Sequence, residues 1–233
     1  MNKEKVFENY LSISPNKFGI YLFDPKNLKN LYTKELIVNE NNKSLDFIKL
    51  KKFLDNNVFE IEKLSGKFVE NIFFIFEDKK IFNLEKGIKK KNYNTSLKKE
   101  YLQNLLVEAK DLFRENYPNQ EIMHMIINKY FINDKSYSSY DENLKGGNVA
   151  LQIQFKSISN STIYDLNRIL ENYQIKIIKY IDGGYVKNYF GNEVELAEKA
   201  HRILNGYNEN EVTFVQKNPK KLTFFEKFFQ LFS

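Results

Sequence analysis

Apolar residues along this chain follow two periods, one near 3.6 residues and one near 2, and the alternation between them predicts a mixed set of elements. Residues 18–23 and 36–38 read as short strands around an Asp24-Pro25 turn. From 44 to 64, Leu45, Ile48, Phe53, Leu54, Val58, Ile61 and Leu64 share one face of a helix, with Ser44 placed to cap it. A buried strand is expected at 69–76, and 81–88 stands as a candidate second strand beside it. Lys89-Lys90-Lys91 then marks an exposed turn. The clearest helix follows, capped by Thr95 or Ser96. Its face is Leu97, Tyr101, Leu102, Leu105, Leu106, Ala109, Leu112 and Phe113, and Pro118 closes it.

Residues 122–131 are apolar enough for a central strand, and 134–147 is a polar loop or hairpin tip ending in glycine. Val149, Leu151, Ile153 and Phe155 alternate with Gln152, Gln154 and Lys156, the pattern of a half-buried strand. A helix over 163–173, a strand over 175–181 and a helix over 192–204 stopped by Gly206 complete the body. Residues 69–182 thus predict an α+β layer, with helices packed on one mixed or antiparallel sheet. The apolar patch 212–215 leads past Pro219 to the last segment.

At about 100° per residue, Leu222, Phe224, Phe225, Phe228, Phe229, Leu231 and Phe232 fill one half of a C-terminal helix. Thr223, Glu226, Lys227 and Gln230 fill the other. Twelve residues make only about 18 Å of helix, too short to span a bilayer but suited to lying in the headgroup boundary. Lys217, Lys220, Lys221 and Lys227 would each add about 1 kcal/mol at an anionic surface. The membrane-binding set is therefore Lys220, Lys221, Leu222, Phe224, Phe225, Lys227, Phe228, Phe229, Leu231 and Phe232, and the implied partner is anionic membrane lipid. The competing reading packs this helix on the protein's own core or in a dimer.

A formal net charge of +6 invites a nucleic-acid partner, yet only Arg114, Arg168 and Arg202 are arginines. Bidentate contacts to bases and phosphates favour arginine, so nucleic acid is disfavoured. The absence of cysteine excludes disulfides and thiolate chemistry. The two histidines, His124 in an apolar strand and His201 on a helix, lack metal-ligand spacing and read as structural residues. Asp182-Gly183-Gly184 and Leu64-Ser65-Gly66-Lys67 look like pieces of phosphate-binding loops. Neither completes a motif, and both read as ordinary turns. Acidic pairs such as Asp141-Glu142 have no convergent partners. No catalytic residue, cofactor or metal site is expected. The charged N-terminus lacks the apolar core of a signal peptide, which places the protein inside the cell.

One family pattern fits the order of these pieces. The strand Asn71-Ile-Phe-Phe-Ile-Phe76, the helix 98–114, and the strand Gln120-Glu-Ile-Met-His-Met-Ile-Ile-Asn-Lys-Tyr-Phe-Ile132 with Asn133 resemble the SHS2 (1C) subdomain of FtsA, the actin-like bacterial division protein. His124, Tyr130 and Ile132 stand where FtsA proteins have His, Tyr and an apolar residue. Asn133 replaces the family's Asp, and its usual Pro is missing. The loop Glu142-Asn-Leu-Lys-Gly-Gly147, the strand 149–155 and the helix–strand 163–181 continue in the same order. FtsA also ends in an amphipathic membrane-targeting helix.

The resemblance implies four regions: 1–68 as a remnant of an actin-like subdomain, 69–190 as an SHS2-like interaction domain, 191–219 as helix and linker, and 220–233 as the membrane helix. The strand at Gly19-Ile-Tyr-Leu-Phe-Asp-Pro25 lacks a glycine phosphate turn, and the chain passes almost directly from Phe190 to its tail. ATP binding is thus not implied, and the lobe that carries the family's FtsZ-docking surface is missing. The expectation is a non-enzymatic, FtsA-like adaptor on the inner face of the cytoplasmic membrane, recruiting FtsA-type or FtsZ-linked division proteins. The alternative is a nucleic-acid binder using Lys89–Lys91 with Lys98 and Lys99.

Overall fold

The computed structural model describes residues 6–38, 45–91, 99–133, 135–141, 145–191 and 194–212. In chain order the elements are β1 (Glu8–Ile13), β2 (Lys17–Asp24), β3 (Lys29–Ile37), α1 (Phe47–Ser65), β4 (Asn71–Phe76), β5 (Phe82–Lys91), α2 (Lys99–Asn116), β6 (Gln120–Ile132), β7 (Lys135–Tyr137), β8 (Asn148–Ser159), α3 (Asn160–Leu170), β9 (Lys176–Asp182), α4 (Gly183–Phe190) and α5 (Leu196–Leu204). They form a mixed α+β protein of two compact units. The first comprises Met1–Ile81 and Ser161–Leu204, and the second Phe82–Asn160 and Asn205–Ser233.

The first unit is built on a five-stranded sheet ordered β3-β2-β1-β4-β9. β1, β4 and β9 run parallel, and β2 lies antiparallel between β1 and β3. Strands buried on both faces carry continuous apolar runs, and β2 with Phe18, Ile20, Tyr21, Leu22 and Phe23 buried shows this plainly. On one face α1 brings Leu50, Phe53, Leu54, Val58 and Ile61, with the Phe53 ring 6.1 Å from Phe18. On the other, Tyr10, Tyr21, Phe23, Ile75 and Ile181 meet Val186 of α4 and Ala197, Ala200 and Ile203 of α5. Asp46, not Ser44, caps α1 by accepting a hydrogen bond from the Lys49 amide at 3.0 Å. Ser44 lies outside the described residues.

The second unit is an antiparallel sheet ordered β5-β8-β6-β7. α2 covers one face, packing Leu102, Leu105, Leu106 and Phe113 on Met125, Ile127, Leu151 and Phe155. The Phe113 and Phe155 rings stack at 4.7 Å. Along β8 burial alternates residue by residue, as the sequence predicts. Asn133 takes a left-handed conformation (φ 48°) at the end of β6, and its Oδ1 accepts from the Gly147 and Asn148 amides at 3.0 and 3.2 Å.

Several sequence expectations need correction. Residues 69–182 do not make one sheet: β4 and β9 pair with each other in the first unit, while β5 to β8 form the second. The compact units divide near 81, 160 and 204. The order of elements along a chain carries no sheet membership, and an apolar strand looks alike at the centre of either sheet. The first strand is 8–13, not 18–23; Glu8, Asn9 and Ser12 break its pattern. Lys89–Lys91 is the end of β5 instead of a turn, and α4 was not expected at all. The helix expected at 192–204 begins at Leu196. The cap at Thr95 or Ser96 and the helix at 220–233 lie outside the described residues.

Candidate functional site

The three parallel strands of the first unit end together, at Ile13, Phe76 and Asp182, and ligands of open α/β sheets sit beyond such carboxyl ends. A cleft of about 1200 Å³ opens there, lined by the β1–β2 turn, Tyr21, Glu35, residues 77–81, Asp182, Gly184 and Lys187.

Its floor is set by register. Ser12, Gly19 and Glu35 lie side by side across β1, β2 and β3. Gly19 leaves room for the Tyr21 side chain to fold back over it; a Cβ there would stand 2.4 Å from the Tyr21 hydroxyl. That hydroxyl donates to Glu35 at 2.8 Å and meets Ser12 Oγ at 3.4 Å. Burial pushes the Tyr21 phenol well above its ordinary pKa, and the Glu35 carboxylate adds to the effect. Burial opposes ionisation of Glu35 itself, but hydrogen bonds from Lys17 and Tyr21 outweigh it and hold the carboxyl below its usual range. Lys17 Nζ lies 2.7 Å from Glu35.

The far wall repeats this self-satisfaction. Lys187 Nζ lies 2.7 Å from Glu77, whose side chain crosses Gly183 so closely that a Cβ there would come within 2.4 Å. Asp182 caps α4, accepting from the Gly184 and Tyr185 amides at 2.8 and 3.1 Å. The helix N-terminus that could hold an anion is thus met by the chain's own carboxylate. In the β1–β2 turn, the Ser14 amide donates to Lys17 O at 2.9 Å and the Lys17 amide returns to Ser14 O at 3.4 Å. Pro15 has no amide hydrogen. Phosphate-gripping loops present convergent free amides, whereas the Ser14 and Lys17 amides here bond within the turn. Of the four lysines that line the cleft, Lys17 and Lys187 are thus paired with its own carboxylates.

Residues singled out from the sequence are dispersed. His124 Nδ1 lies 2.6 Å from Glu211 Oε1 in the core of the second unit, and His201 Nδ1 lies 2.8 Å from Glu8 Oε2 in the first. Asp182-Gly183-Gly184 is the α4 cap, and Gly66 closes α1 at φ 70°. Lys90 is paired with Glu108 at 2.8 Å. Lys220 to Phe232, the membrane set, and Lys98 and Glu142 lie outside the described residues. Among the described residues, no helix is long and apolar enough to cross a membrane, and no three His, Cys, Asp or Glu are grouped to hold a metal ion. Sequence reasoning missed Ser12, Lys17, Glu35, Glu77 and Lys187, because the cleft exists only once β1 and β4 are parallel neighbours.

No protein-family model matches the chain, and no curated protein matches it. Solved structures do. The PilM-PilN type IV pilus biogenesis complex is 10% identical over 79% of this chain and 50% of that one, with a TM-score of 0.46. The cytoplasmic domain of EpsL, an inner membrane component of the type II secretion system of Vibrio cholerae, is 7% identical over 78% of this chain and 57% of that one, at a TM-score of 0.37. A Bacteroides thetaiotaomicron protein with an actin-like ATPase fold and unknown function is 16% identical over 80% and 56%, at 0.35. This chain spans between 50% and 57% of the length of each.

Proposed function

We propose that the protein is a non-catalytic, FtsA-like adaptor that holds partner proteins at the inner face of a membrane. In this reading the first unit is an actin-like subdomain that has lost its nucleotide. The second unit is the SHS2-type interaction module, and 220–233 is the membrane helix. The observation that carries the reading is the internal pairing of the cleft walls: Lys17 and Lys187 are taken up by Glu35 and Glu77, and Asp182 caps the helix N-terminus an anion would need. A second support is the position of the second unit in the chain. It is inserted between two parallel strands, β4 and β9, and carries a core of its own. Its partners are proteins assembled at the membrane, division proteins by the FtsA resemblance. The nucleic-acid alternative is weakened by Lys90, whose charge is taken up by Glu108.

The test is flotation of the full chain with anionic vesicles, with and without Mg-ATP. Wild type is expected to float, indifferent to the nucleotide, whereas the Phe225→Glu/Phe229→Glu variant stays folded at the bottom of the gradient. Flotation of that variant, or its unfolding, removes the membrane helix from the reading. ATP-dependent flotation removes the non-catalytic cleft.

A further inference from the structure

Behind α1, on the first unit, lies a groove unconnected with the cleft. Its floor is Leu54, Val58 and Val69, all buried, and its volume is about 520 Å³. Two phenylalanines stand at its sides in solvent: Phe59 is 66% exposed and Phe68 83%. A single exposed apolar residue is ordinary, but two aromatic side chains flanking an apolar groove form a patch. Gly66 produces this arrangement. Its left-handed conformation ends α1 and turns the chain into the segment that carries Phe68 past Phe59.

The charge of the groove is opposite to that of the chain. Its charged lining residues are Asp55, Glu62 and Glu70, with no lysine or arginine among them, in a protein of formal net charge +6. Asp55 is held by the Tyr173 hydroxyl at 2.6 Å, and Glu62 Oε1 by the Val69 amide at 3.1 Å. These carboxylates are fixed in place around an apolar floor. The matching ligand is a short segment with large apolar side chains on one face and lysines beside them. Residues 217–233 have that composition, with five phenylalanines and four lysines.

We propose that this groove is a receptor for the C-terminal segment of a second copy of the chain. The proposal rests on the amphipathic reading of 220–233. Tail into groove is a heterologous contact, so copies join head to tail and the association is open-ended. Lipid and groove take the same apolar face of the tail, so anionic vesicles dissolve the assembly. Off the membrane the phenylalanines are covered by protein, and on it they are covered by lipid.

The experiment uses the full chain and its Phe59→Asp/Phe68→Asp variant, both side chains being exposed enough to replace without touching the core. Wild type should sediment as species that grow with concentration, and the variant as a monomer. A fluorescent peptide of residues 217–233 should bind the variant at least ten-fold more weakly than wild type. Equal association of the two proteins, or equal peptide binding, overturns the proposal. Flotation separates it from the reading beneath it: the variant should float on anionic vesicles as wild type does. If neither protein floats, the amphipathic tail fails and the receptor fails with it.

Discussion

The two units solve the same burial problem in opposite ways. The first covers both faces of a mixed sheet, so successive residues of β4, Phe74 and Ile75, are each fully buried on opposite sides. The second covers a single face along β8 of an antiparallel sheet, so Phe155 is buried while its neighbour Gln154 stays half-exposed, and both faces only along β6, where 122–127 are all buried. A sheet with two covered faces has no tolerant positions along its central strands, but it gains a rim where parallel strand ends can build a cleft. A strand with one covered face keeps tolerant positions on the other. Topology alone thereby gives the first unit the rim of parallel strand ends on which its cleft is built.

The largest expected effects break this comparison directly. Phe74→Ala should cost about 3–5 kcal/mol and Ile75→Ala about 2–5 kcal/mol, neighbours in sequence with similar penalties. In β8, Phe155→Ala should again cost about 3–5 kcal/mol, but Gln154→Ala should stay within about 0.5 kcal/mol. Denaturant unfolding followed by hydrogen exchange resolves the loss unit by unit. A tolerant Ile75 would show that the face under α4 and α5 is loosely packed, and a costly Gln154 would show that β8 is covered on both sides.

These differences also mark what the sequence could reveal. The alternation of Val149, Leu151, Ile153 and Phe155 against glutamines and a lysine is a period-2 signal from one covered face, and it predicts β8 correctly. The periodic helices at 44–64 and 97–113 were equally legible, because α1 and α2 each bury a single stripe. β1 was not, since Ser12 sits in it as part of the cleft floor and Asn9 as a donor to the Asn71 carbonyl on β4. Sheet membership was invisible: Asn71–Phe76 and Lys176–Asp182 are 99 residues apart, and only their pairing shows that the chain leaves one unit to build another. The cleft followed the same limit. Lys17, Glu35, Glu77 and Lys187 are scattered singly, and no local spacing joins them.

An intermediate effect tests the second unit at its least expected feature. Residues 208–212 lie along β6, with the Ile127 amide donating to Asn210 O and the Val212 amide to Met125 O, both at 2.8 Å. The buried His124–Glu211 contact fastens this segment from the side-chain direction. Glu211→Ala should cost about 1–3 kcal/mol, since a polar group in the core loses a partner. The Ile127 and Val212 amides should exchange faster, while amides of the first unit are unchanged. Unchanged protection of both would mean that the backbone bonds hold the segment without the pair.

The smallest effect belongs to the first unit's cleft. The Glu35 carboxyl is held below its ordinary pKa, because the hydrogen bonds from Lys17 and Tyr21 outweigh the opposing effect of burial. The sign follows from linkage. A depressed folded pKa means that the unfolded chain binds this proton more readily, so the contribution is complete above the unfolded value, about 4.3. It is lost as pH falls through the lower folded value. Because the Glu35 side chain is 40% exposed, screening keeps the gain small. A carboxyl-resolved titration should place the Glu35 midpoint below that of an unpaired glutamate, and Lys17→Met should move it upward. If Lys17→Met leaves the midpoint in place, the Tyr21 hydroxyl alone sets it, and Lys17 is available to a ligand in the cleft. That outcome would reopen the anion site that the ion pair otherwise closes.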